Sequence, residues 1–185
     1  MSKPTETQQR PTEIQQRQAI EAAQGYLILE LPDAALRQLD VFRDPNETPR
    51  AVDQLRGEAF RLKEDYTQAL ECFERVLPHV EHDLGLLIGM AWCFKRIDRL
   101  DKALETMRQA YRGSPKEPIV LYNLACYHSL AGAKDEALSW LGRALRMDNS
   151  LRKLISRESD FDSLRNDSDF QLLLRLSECK ERKKP

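Results

Sequence analysis

The sequence predicts an all-α protein built from helix–turn–helix repeats, and three observations carry that prediction. The dipeptide Ala-Leu recurs at Ala35-Leu36, Ala69-Leu70, Ala103-Leu104 and Ala137-Leu138, always at the same interval. Other positions keep that step when the units are set at 16–49, 50–83, 84–117 and 118–151. Position 8 is then Ala23, Gly57, Ala91 and Ala125, position 11 is Tyr26, Phe60, Phe94 and His128, and position 24 is Leu39, Phe73, Met107 and Leu141. Chain breakers fall between the units: Asp44-Pro45-Asn46 with Pro49, Pro78 with His79 and Asp83, and Gly113-Ser114-Pro115 with Pro118.

Each unit reads as two helices of about a dozen residues. The inner turns fall near Leu31-Pro32-Asp33, Lys63-Glu64-Asp65, Ile97-Asp98 and Ala131-Gly132. Small side chains at positions 8 and 20 let the two helices approach closely, and large ones at 11 and 24 fill the space beside them. This pattern over residues 16–151 resembles the tetratricopeptide repeat. The resemblance implies a right-handed α-α superhelix whose first helices line a concave, peptide-binding groove. Three departures stand out. Position 4, often Trp in that family, is Ala19, Asp53, Leu87 and Leu121; position 7 is the charged Arg56 in the second unit; and position 32 is Pro only at Pro115.

The two ends differ in kind. Residues 1–14 are rich in Gln, Thr, Pro and Glu without periodicity, and read as disordered. Residues 152–179 leave the repeat but keep apolar spacing in Leu154, Ile155, Phe161, Leu164, Phe170, Leu173 and Leu174, with Asp160 and Asp167 or Ser168 as N-caps. They read as a helical cap, because a solenoid must cover its terminal apolar face. The run at 160–170 resembles the closing segment of some bacterial tetratricopeptide arrays. Trp140, where earlier units have Gln38, Cys72 and Thr106, is expected to support that cap. Residues 180–185 read as a basic tail.

Composition narrows the function. Lys plus Arg is 29 against 30 for Asp plus Glu, a balance that argues against a nucleic-acid binder working through bulk positive field. No uncharged apolar stretch approaches about 18 residues, and the N-terminus lacks an apolar signal core, so a cytoplasmic protein without membrane insertion is expected. Cys72, Cys93, Cys126 and Cys179 show no CxxC spacing and read as reduced fillers. His79 and His82 form an HxxH beside Glu81 and Asp83 in an inter-repeat turn, which without a nearby Cys pair reads as a polar turn, and His128 sits at the packing position 11. No metal, no cofactor and no catalytic constellation is predicted.

The remaining signal lies on the first helices. Positions 2, 5, 6, 9, 12 and 13 lie opposite the helix–helix stripe, at about 100° per residue. In the family this chain resembles, that face binds partner peptides. The candidate groove residues are Gln24 in unit one; Gln54, Glu58 and Arg61 in unit two; Gly85, Ile88, Gly89, Trp92, Lys95 and Arg96 in unit three; and Ile119, Tyr122, Asn123 and Cys126 in unit four. Trp92 and Tyr122 are the expected aromatic anchors. Three alternatives stay open: Ile88, Ile119 and Leu130 as inter-repeat core, Trp92 as covered by one of the chain's own ends, and Arg17, Glu58, Arg61 and Lys95 as solvated surface. The two-carboxylate clamp known in the family needs Lys and Asn at positions 5 and 9, and neither Ile20 with Gln24 nor Gln54 with Glu58 supplies it. The reading is a non-catalytic module that binds a segment of a partner protein. The alternatives are a self-associating homo-oligomeric assembly element, or a small chaperone for a secreted or assembling substrate.

Overall fold

Helices start at the intervals that the sequence dictates. The computed structural model describes residues 11–44 and 48–181, with side chains through Ser177. Residues 1–10 of the expected disordered segment, the Pro45-Asn46 breaker and most of the basic tail lie outside the described residues. The second helices of the repeats are α2 (Pro32–Leu39), α4 (Tyr66–Val76), α6 (Leu100–Gly113) and α8 (Lys134–Met147), and each begins at position 17 of its unit. The first helices are α1 (Glu13–Ile28), α3 (Arg50–Leu62), α5 (Leu84–Arg96) and α7 (Pro118–Leu130). Of these, α1 starts early. Thr12 forms a capping box with Gln15, its hydroxyl accepting from the Gln15 N–H at 3.3 Å while Gln15 Oε1 accepts from the Thr12 N–H at 2.9 Å. Residues 13 and 14 are therefore helical, although the sequence pattern put them in the irregular segment.

The turn inside every repeat is the same device. Glu30, Glu64, Asp98 and Gly132, each at position 15 of its unit, have φ of 55°, 61°, 60° and 71°. Around each, the next residue's N–H reaches back to close the helix: Leu31 to the Tyr26 carbonyl, Asp65 to Phe60, Arg99 to Phe94 and Ala133 to His128, all at 2.9 Å. The left-handed residue itself donates to the carbonyl three back, as Glu64 does to Arg61. This is the Schellman closure, which satisfies the last carbonyls of the first helix. Only the fourth unit places a glycine at the strained position.

The chain forms two compact units, residues 1–78 and 79–185. In the first, Ala19, Ala23, Ala35, Leu39, Phe42 and Val52 make a buried cluster. A Cβ on Gly57 would overlap the Phe73 ring, so the space at position 8 of the second repeat is filled by that ring. The two polar departures from the repeat pattern answer each other. Arg56 donates to the carbonyls of Leu39 and Phe42 at 3.0 and 2.7 Å, satisfying acceptors at and beyond the end of α2. Buried Asp53 accepts from Arg75 at 2.9 Å and lies 3.9 Å from Arg56.

The second unit holds α5 to α8, a short α9 (Arg152–Ile155), a 3-10 segment at Ser159–Leu164 and α10 (Ser168–Glu181). Asp167 caps α10 as expected, accepting from the N–H groups of Asp169 and Phe170 at 2.9 and 3.2 Å. Asp160 is not a cap: Glu158 takes that place, accepting from the Asp160 N–H. The cap docks on α8 where Leu173 Cδ1 lies 3.3 Å from the Cβ position of Gly142, and Lys134 pairs with Asp167 and Asp169 at 2.6 and 2.8 Å. The Trp140 ring packs edge-on against Tyr111 at 5.0 Å, under the Arg143 guanidinium at 4.4 Å, which ties α8 to α6.

Candidate functional site

Burial divides the predicted groove residues into three groups. In the first unit, Gln24 is exposed and Gln54 half-buried, while Glu58 and Arg61 pair with each other at 2.8 Å across one helical turn. Each charge there already has an intrahelical partner.

On α5 the face stays partly open. Gly85 and Arg96 are exposed, Ile88 and Trp92 are half-buried, and Gly89 is buried. The Arg96 guanidinium lies 5.6 Å from the centre of the Trp92 ring, a cation–π spacing. An added Cβ on Gly85 would meet only Asp83 Oδ1 at 3.4 Å, so the backbone is approachable at that end. The second helical glycine, Gly89, is inside the packing and does not widen the open face.

On α7 the same stripe is mostly closed. Ile119 and Asn123 are half-buried, but Tyr122 is 3 % exposed and Cys126 is 1 % exposed. The cover is the chain's own closing segment. Phe161 packs edge-on against Tyr122 with ring centres 5.8 Å apart, and Phe161 in turn contacts Phe170 at 5.6 Å. Ser163 Oγ lies 3.5 Å from Ser129 Oγ, one turn beyond Cys126. Lys95 is drawn into the same contact, donating to both Asp160 oxygens at 3.1 and 2.8 Å while lying 5.9 Å from the Tyr127 ring centre. Tyr122 is thus a closure residue and not an open anchor. The sequence showed the apolar residues of the closing segment, but no local pattern says which helix face they cover.

Electrostatics on the closed face follow from burial. Desolvation, then the neighbouring Cys126, Glu158 and Asp160, push the Tyr122 hydroxyl far above its ordinary range. Burial and the same carboxylates hold the Cys126 thiol protonated. The Tyr122 hydroxyl is buried with no partner at good hydrogen-bond geometry. His128, at packing position 11, is buried, and desolvation with nearby Arg108 lowers its pKa. Among the described residues, no helix is long and apolar enough to cross a membrane.

No family model matches the chain. Over 107 residues it is 32% identical to the general transcriptional corepressor trfA of Dictyostelium discoideum, a stretch covering 56% of this chain and 8% of that protein. The chain therefore spans only a small part of that relative's length. Among solved structures, MamA AMB-1 matches with a TM-score of 0.70 over 94% of this chain and 96% of that one, at 14% identity. MamA from residue 41 to its end, from Desulfovibrio magneticus RS-1, gives 0.68 over 89% and 96% at 16% identity. MamA is a tetratricopeptide-repeat protein, and this chain has the same helical solenoid fold.

Proposed function

Starting from the tetratricopeptide-repeat fold, we propose that this chain is a non-catalytic interaction module that holds a segment of a partner protein on the open face of α5. The observation that carries this reading is the division of the predicted groove. Ile88 and Trp92 are half-buried and Arg96 exposed, beside half-buried Ile119 and Asn123 on α7, while Tyr122 and Cys126 are buried in the closure. Trp92 is the anchor, because a large ring beside a guanidinium offers apolar area and a donor together. The likeness to a stretch of a much longer corepressor supports a modular role, since a repeat segment of this kind also occurs inside a larger protein. The buried cysteines Cys72, Cys93 and Cys126, with no CxxC spacing among them, favour a reducing, cytoplasmic compartment.

Affinity capture followed by calorimetry tests the assignment. Trp92→Ala weakens partner binding by at least about 2 kcal/mol, roughly 30-fold, with the helical circular dichroism retained. Unchanged affinity in a folded Trp92→Ala protein moves the binding face elsewhere.

One observation favours a second reading, self-association. Ile28, Leu29 and Leu31 at the α1–α2 turn are 82%, 66% and 49% exposed, an apolar run on the first unit. Sedimentation at rising concentration decides it: a dimer that Leu29→Glu dissolves supports this reading, and a monomer throughout rejects it.

A further inference from the structure

We propose that Cys126, Glu158 and Asp160 form a divalent-metal site of the zinc class that fastens the closing segment to α7. The Cys126 Sγ and one carboxylate oxygen from each acid all lie within 4.8 Å of one another. Zinc bound through Zn–S of about 2.3 Å and Zn–O of about 2.0 Å has ligand edges of about 3.5 Å. Closing the site therefore takes a contraction of at most about 1.3 Å between ligand atoms. One sulfur with two carboxylate oxygens suits zinc, whereas magnesium and calcium take oxygen alone.

An independent observation points at the same spot. The Tyr122 hydroxyl is buried with the Cys126 sulfur as its only polar neighbour, and no partner lies at good hydrogen-bond geometry. A thiol is a poor acceptor and a metal-bound thiolate a good one, so metal binding would supply the missing partner. Charge bookkeeping agrees. With Cys126 as a thiol, two carboxylates against the Lys95 ammonium leave one negative charge. Binding of a dication, with release of the thiol proton to solvent, brings the cluster to neutrality. Lys95 does not exclude the ion, because a carboxylate has about four lone-pair sites and its two bonds to Asp160 use only part of them. It acts as an outer-shell partner that fixes Asp160. A water molecule completes four-coordination on the half-exposed Glu158 side.

The spacing hides this site in the sequence, since both acids lie about one repeat length beyond the cysteine, far outside any local ligand motif. Cobalt(II) titration of the full chain tests it, with zinc(II) as competitor. One equivalent should raise a thiolate-to-cobalt charge-transfer band that zinc removes. Cys126→Ser should abolish the band, and Glu158→Gln, on a partly exposed residue, should weaken binding about 10- to 100-fold without loss of helical signal. Cys72→Ser, Cys93→Ser and Cys179→Ser should leave it intact. Absence of the band in the wild type, its survival in Cys126→Ser, its loss in Cys179→Ser, or full affinity in Glu158→Gln would each overturn the assignment.

Discussion

Phe161 stands edge-on to Tyr122, ring centres 5.8 Å apart and planes 81° to each other, and this contact makes the end of the array part of the core. Phe161 is fully buried, and so nearly is Phe170 behind it. Truncating a buried Phe loses both transfer energy and the contacts around the hole. Phe161→Ala should therefore cost about 3–5 kcal/mol in urea unfolding. A loss under about 1 kcal/mol would mean that the closing segment rests on α7 without holding it.

Gly57 and Phe73 set a second limit. An alanine at 57 gains about 1 kcal/mol of helix propensity, yet its methyl would overlap a fully buried ring. Overpacking of this kind costs about 1–3 kcal/mol. Gly57→Ala should lower the melting temperature, and adding Phe73→Leu should recover part of the loss. A stabilised single variant would contradict the packing described for α3 and α4.

The repeated left-handed position gives opposite signs in different units. At Glu64 a glycine relieves strain that costs an L-residue about 1–2 kcal/mol, offset in part by greater unfolded-state entropy. Glu64→Gly should gain about 0.5–1 kcal/mol, and Gly132→Ala should lose about 1 kcal/mol, both read from chemical unfolding. The same sign for both would refute the closure geometry.

His128 links the fold to pH. Its folded pKa is lowered, chiefly by burial, below an unfolded value of about 6.5. Below that value the unfolded chain binds the proton more readily, so stability is lost as pH falls from about 6.5 toward the folded pKa. His128→Gln should flatten this part of the stability profile. An identical slope just below about pH 6.5 in both proteins would place the acid sensitivity elsewhere.

Much of this architecture is legible in the sequence because two tightly packed helices impose size on fixed positions. Gly57 and Ala91 had to be small, and the starts of α3, α5 and α7 follow from the same register. Asp53 and Arg56 look like flaws in that pattern because their partners, Arg75, Leu39 and Phe42, are distant in sequence and lie on or beyond other helices. Trp140 also has a partner that no local pattern reveals, since Tyr111 lies 29 residues earlier on α6. The candidate groove was readable as a face, and its occupancy was not. Which part stays open depends on where Phe161 lands, and its contact with Tyr122 spans more than a whole repeat of sequence.

That occupancy is open to direct test. Ser129 and Ser163 face each other at 3.5 Å, so the double variant Ser129→Cys, Ser163→Cys should form a disulfide that locks the closing segment onto α7. The decisive measurement is the partner's dissociation constant for the oxidised and the reduced forms of this protein. The account predicts equal affinities, with Trp92→Ala weakening both. Loss of binding on oxidation, restored by reductant, would show that the partner displaces the segment and takes the Tyr122 face.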